Sequence, residues 1–153
     1  AEGGQLHLQR LQTYWEEFEP AVRDRLTAGA LSPAAWLQAA QRFRRYFRDQ
    51  ALTLFERYDF LLAPTTPIAA PPLGTQTITL NGVTQPLRPN LGLYTQPISF
   101  LGWPVVNVPV WSPGKLPLGV QIIAAPGRED IVLRLAHYLE QEGVVRAALA
   151  PSY

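Results

Sequence analysis

Residues 95–130 read TQPISFLGWPVVNVPVWSPGKLPLGVQIIAAPGRED, and the fold is decided there. Two nearly continuous apolar runs, 105–111 and 118–125, are rich in Val and Ile and bounded by Pro and Gly. A strand with one wet face alternates apolar and polar residues, so unbroken runs of this length are expected as strands buried on both faces. Between them stands Ser112-Pro113-Gly114-Lys115. The proline ring presets φ and Gly114 is free to take a positive φ, so the chain turns there.

Downstream, Ile131, Leu133, Leu135, Ala136 and Leu139 predict an amphipathic helix over 129–141, stopped at Gly143. Glu129 and Asp130 open that helix, where negative charge favours the dipole. Upstream, Phe60-Leu61-Leu62-Ala63 is a short apolar strand ended by Pro64-Thr65-Thr66-Pro67, and a Pro-rich loop follows to Gly74. Asn81-Gly82, flanked by 77–80 and 83–84, is the strongest short signal for a type I′ hairpin. Residues 94–101 are locally ambiguous. Everything before about Tyr58 reads as helical: an apolar stripe from Leu6 to Phe18, a short segment over 21–28 with a stop near Gly29, and a long helix. Ser32-Pro33 is expected to start that last helix, the hydroxyl capping it and the proline at its first position. Trp36, Ala40, Phe43, Phe47, Leu54 and Phe55 then recur at helical spacing. The arginines between them (42, 44, 45 and 48) read as a solvated face. No internal repeat and no dividing linker is visible.

The 153 residues are enough for one buried core, and 47% are hydrophobic against 16% charged. So little charge suggests surface covered by something outside this chain. A formal net charge of +1 gives no support to a nucleic-acid footprint, and no apolar run is long enough to span a bilayer. Cysteine and methionine are both absent and the chain opens on Ala1, which reads as a removed start or a piece of a longer protein.

A self-contained hydrolase needs a nucleophile beside a base and a group that orients the base. Ser32 is explained as a cap, Ser112 as turn chemistry and Ser152 as a tail residue; Ser99 has no His or Lys placed to activate it. His7 and His137 sit within helical segments as packing or surface residues. Lys115, the only lysine, lies in a turn. No His, Asp or Glu pair stands at ligand spacing on one face, so neither a metal nor a cofactor is expected.

Three stretches carry a resemblance. Pro97, Gly102, Pro104 and Val108-Pro109, then Leu116-Pro117-Leu118-Gly119-Val120-Gln121-Ile122-Ile123, follow the order found in the C-terminal part of the amidase signature family. Tyr58-Asp59-Phe60-Leu61-Leu62-Ala63-Pro64-Thr65-Thr66-Pro67 matches that family's Y-D-x-L-L-x-P-T-x-P. The resemblance spans nearly the whole chain, most strongly 58–143. It implies an α/β fold, the C-terminal part of a mixed β-sheet flanked by helices, with residues 1–153 a portion of a single amidase domain: helical to 58, then sheet, hairpin and closing helix from 59 to 143. It also makes the ambiguous 94–101 segment a short helix leading into Gly102-Trp103-Pro104.

The family's Ser–cis-Ser–Lys triad lies in a long Gly/Ser-rich segment, and no such segment is present here. The resemblance therefore implies a cytoplasmic hydrolase whose nucleophile lies upstream of this chain, with the chain alone inactive. What it implies for these residues is pocket wall. Val22-Arg23-Asp24-Arg25-Leu26-Thr27-Ala28-Gly29 matches V-x-x-R-x-x-x-G, placing Arg25 where relatives contact a substrate carboxylate; Arg23 is the alternative one step away. A surface ion pair of Arg25 with Asp24, Glu19 or Glu17 is the non-functional reading. Gly92, Tyr94, Thr95 and Gln96 fall in the second pocket segment, where Tyr94 and Gln96 are equally readable as packing and capping residues. Amino-acid-binding relatives carry an aspartate near Gly92 to pair an α-ammonium, and glycine here argues against such a substrate. Residues 88–100 and 121–126 look most like the carboxybiuret hydrolase-type amidases of cyanuric acid breakdown, which work with a small helical partner subunit. Two other readings stay open: a glutamine amidase of the amidotransferase A-subunit type, and a non-catalytic binding or scaffolding domain.

Overall fold

The computed structural model describes residues 1–146 as two compact units, divided between Phe47 and Arg48. Ser152 lies outside the described residues.

The first unit is helical. Helix α1 spans Glu2–Thr13, a single 3₁₀ turn follows at Trp15–Glu17, and α2 spans Pro20–Ala30. The stripe expected from Leu6 to Phe18 is thus broken at Tyr14, and α1 buries Leu11 while Leu6 stays exposed. Helices α1 and α2 approach so closely at Gly4 that a Cβ there would run into the backbone of Ala30 and Leu26, which requires glycine. The start of α2 is cut by a clear local signal. Glu19 accepts from Val22 N through its side chain (2.9 Å), and Pro20 stands at the first position. Helix α2 runs past the expected stop at Gly29 and ends at Ala30.

Helix α3, Ala34–Leu52, carries the chain from the first unit into the second and ends in a 3₁₀ turn, Thr53–Glu56. Its start corrects the expected cap. Ser32 Oγ donates backward to Ala28 O (2.9 Å), so it closes α2, and Pro33 O accepts from Trp36 N and Leu37 N. A serine two residues after the end of a helix finds a bare terminal carbonyl nearer than the next helix's amides.

The second unit is built on a three-stranded sheet made of β1 (Leu61–Pro64), β4 (Val105–Val110) and β5 (Leu118–Ile123). Its order is β1-β5-β4, both pairings antiparallel. The turn between β4 and β5 has Gly114 at φ 67°, as its composition predicts, and Lys115 N donates to Ser112 O (3.1 Å). A separate hairpin pairs β2 (Thr77–Leu80) with β3 (Val83–Pro86), with Asn81 and Gly82 both at positive φ, 51° and 79°. The short α4 (Leu87–Asn90) and α5 (Gln96–Leu101) lead to Gly102 at φ 70°, and α6 spans Glu129–Gln141 as expected.

Period-two alternation divides the main sheet into two faces. Val106, Val108, Val110, Val120 and Ile122 face α6 and form the core with Val132, Leu135 and Leu139. The opposite face carries Ala63, Asn107 and Gln121, aligned in register across three strands. Burial on both faces is therefore reached only in part: Ile122 and Ile123 are fully buried, whereas Val105, Trp111 and Leu118 are well exposed. No helix among the described residues is long and apolar enough to cross a membrane.

Candidate functional site

The face of the sheet turned away from α6 opens into a cleft of about 410 Å³. Thr65 and Thr66 line it from the end of β1, Asn107 and Pro109 from β4, Gly119 from β5, and Leu91 from the segment before α5. Thr65 ties the strands together there. Its N–H donates to Gly119 O (2.9 Å) and its hydroxyl bonds Asn107 Oδ1. Gly119 is the only residue type that fits between them, since a Cβ would stand 2.7 Å from both Asn107 Oδ1 and Thr65 Oγ1.

Leu91 runs directly into Gly92–Gln96, the segment singled out by sequence. Gly92 O is its hub, accepting from Thr95 N (3.1 Å), Gln96 N (2.9 Å) and Thr95 Oγ1 (3.3 Å). The Gln96 side chain folds back over Gly92, and a Cβ on Gly92 would lie 2.9 Å from Gln96 Nε2. Tyr94 is partly exposed, and its carbonyl accepts from Gln121 Nε2 (3.2 Å). The same Nε2 donates to Pro64 O (2.8 Å). Thr65, Asn107 and Gln121 were not among the residues chosen from sequence as candidates. Gln121 inside an apolar run was the available signal, because a buried amide is kept only where it finds partners.

Arg25 belongs to the first unit, exposed on α2, and makes no ion pair among the described residues; the surface pair with Asp24, Glu19 or Glu17, the non-functional alternative for this residue, is not formed. Arg23 is the arginine that is engaged. Its guanidinium lies 4.7 Å from the Trp15 ring centroid, bonds Trp15 O (3.5 Å) and pairs with Glu16 (3.5 Å). Ser99 is exposed on α5 with no side-chain hydrogen bond among the described residues. A larger cleft of about 560 Å³ in the first unit is lined by Glu2, Leu6, Ala30 and Leu37 and gathers no basic side chain beyond the Ala1 amine.

A family model described as Amidase matches residues 8–133. The chain belongs to the amidase family. Among its relatives, this amidase chain is 49% identical over 149 residues to AtzE of the 1-carboxybiuret hydrolase of Pseudomonas sp. strain ADP, covering 95% of this chain and 32% of that protein. It is 34% identical over 136 residues to the A-type subunit of the glutamyl-tRNA(Gln) amidotransferase of Geobacillus thermodenitrificans, covering 85% and 27%. Among solved structures, it superposes on an s-triazine catabolic enzyme described from a vestigial protein complex, with TM-score 0.88 and 47% identity over 97% of this chain and 33% of that one. A further amidase crystal structure matches with TM-score 0.84 at 31% identity, covering 91% and 32%. This amidase chain thus spans about a third of the length of the relatives it matches. Its helices and antiparallel sheet are a part of the amidase signature fold.

Proposed function

We propose that this chain is the C-terminal portion of a single amidase domain that hydrolyses the C–N bond of a small linear amide or carboxylated urea derivative of the carboxybiuret kind. The Ser–cis-Ser–Lys triad lies upstream, outside residues 1–153. The chain contributes sheet, pocket wall and the anion anchor Arg25, whose guanidinium fork suits a planar carboxylate through two parallel charge-assisted bonds. The protein works in the cytoplasm, in the breakdown of cyanuric acid, as a homo-oligomer that also holds a small helical partner subunit.

The observation that carries the substrate class is at Gly92. The volume that an acidic side chain would take up is filled by the amide of Gln96, which offers no full negative charge to an α-ammonium. That disfavours the glutamine-amidase reading, which rests on 34% identity to the amidotransferase relative, and agrees with 49% identity to the carboxybiuret hydrolase one.

The test uses the full-length protein as encoded, assayed on a carboxylated biuret, a neutral amide of similar size, and glutamine. Arg25→Ala should cost about 2–4 kcal/mol in kcat/KM on the carboxylated substrate and much less on the neutral one. Arg25→Lys should recover little, because an ammonium cannot reproduce the fork. An equal loss on both substrates would make Arg25 a structural residue, and the same contrast seen with Arg23→Ala instead would move the anchor one helical step. Preference for glutamine would favour the amidotransferase-like reading. No turnover of any amide would favour the scaffolding one.

A further inference from the structure

We infer that Gln121 is a positioning residue that sets one wall of the substrate pocket through a single buried amide. The side chain is 3% exposed on the central strand β5, on the face away from α6. Its Nε2 sends one hydrogen to Pro64 O at 2.8 Å and the other to Tyr94 O at 3.2 Å. The first carbonyl belongs to the last residue of β1, immediately before Thr65 and Thr66 of the cleft. The second belongs to Tyr94, three residues after Leu91, which lines the same cleft.

No other described hydrogen bond joins these two segments. The β1 side is already tied to β5 by the Thr65 N–H to Gly119 O bond (2.9 Å), so what the Gln121 amide adds is the tie from that frame to Tyr94 O. Residues 91–96 are held otherwise by local bonds onto Leu87 O, Asn90 O and Gly92 O, which fix the shape of the turn but not its distance from the sheet. An amide group is the smallest side-chain group that donates two hydrogens from one atom in fixed directions. The spacing between the two walls is thereby referred to one rigid strand instead of to the intervening residues 65–90. A buried donor without partners is costly, so removing either carbonyl contact would leave the Gln121 amide unsatisfied where it now sits.

The proposal rests on the reading of residues 91–96 as pocket wall, and its test separates the two. In the full-length protein, Gln121→Met keeps the volume and removes both donors; Gln121→Glu keeps the shape and turns acceptors toward two carbonyls. Amide hydrogen exchange is followed at residues 92–96 and at the β4–β5 hairpin, alongside kcat and KM on a small amide. Exchange at 92–96 should quicken at least tenfold in both variants while protection of Val106, Val108 and Ile122 is retained. At the same time kcat/KM should fall tenfold to a hundredfold, mostly in KM. Unchanged exchange at 92–96 overturns the proposal, as does exchange that quickens equally across the whole sheet, which is the signature of a merely structural role. Quickened exchange with unchanged kinetics overturns the pocket-wall reading and leaves Gln121 holding a loop without catalytic consequence. If neither variant folds, the wild-type protein decides: the two side-chain amide protons of Gln121 should exchange slowly, and rapid exchange of both overturns the proposal.

Discussion

A Cβ placed on Gly119 would meet Asn107 Oδ1 and Thr65 Oγ1 at 2.7 Å and Thr65 Cβ at 2.8 Å, closer than packed atoms approach. Gly119→Ala should therefore cost about 1–3 kcal/mol in urea denaturation, the usual range for overpacking. In an Asn107→Ala background the added cost should shrink, because one of the three obstructing atoms is gone; strict additivity would mean that the crowding is relieved elsewhere. The two arginines of α2 separate in the same way. Arg23 is stacked on Trp15 and paired with Glu16, so Arg23→Ala should lose about 1–2 kcal/mol of stability. Arg25 is exposed and unpaired among the described residues, so Arg25→Ala should stay within about 0.5 kcal/mol. Thermal denaturation of the pair, set beside their kinetics, distinguishes an arginine kept for folding from one kept for a ligand.

At the scale of elements, the hairpin and the closing helix each depend on a positive φ. Gly82 at 79° completes the type I′ turn, and Gly143 at 70° ends α6, its N–H donating to Glu140 O while Val144 N donates to Leu139 O. Gly82→Ala or Gly143→Ala should each cost about 1 kcal/mol by chemical denaturation, because alanine gains a Cβ penalty in the left-handed region. The first turn of α6 has a pH signature. The hydrogen bond from Arg128 to Asp130 lowers the Asp130 pKa, with the charges of Arg128 and Arg134 adding to it. A carboxylate held below its unfolded value contributes stability that is complete above that value and lost as pH falls through the folded one. Asp130→Asn should therefore lower the melting temperature slightly at neutral pH and converge with the wild type at acid pH, which flattens the acid limb of the profile, and high salt should mimic the substitution.

On the scale of the whole molecule, exposure of large apolar side chains is the dominant fact. Trp36, Phe43 and Tyr46 on α3, Leu62 on β1, and Leu116 and Leu118 at the β5 end are all more than half or near half exposed, while few large side chains are fully buried. A chain that spans a third of its relatives' length is expected to show such faces wherever the rest of the fold would lie. Expressed alone, residues 1–153 should self-associate and bind an apolar dye strongly. Within the full-length protein the same residues should be protected from solvent labelling. A monodisperse monomer that ignores the dye would contradict the reading of this chain as part of a larger domain.

How much of this was legible depended on whether the determining interaction is local. Asn81-Gly82, the turn at Gly114 and the 129–141 helix follow from neighbouring residues alone, since φ preferences and periodicity act within one or two turns of chain. Ser32 misled because two helix ends compete for one hydroxyl, a matter of geometry instead of composition. The strands were legible, but the polar pair Asn107 and Gln121 inside them was not read as a site. Whether an amide in an apolar run is an exposed interruption or a buried clamp depends on carbonyls 57 and 27 residues away in sequence. The sequence by itself determined most of the elements and the family they belong to. Only the tertiary structure decided that β1, β4, β5 and Leu91 line one cleft and that Gln121 bonds both Pro64 O and Tyr94 O, because these contacts join segments that no local rule connects.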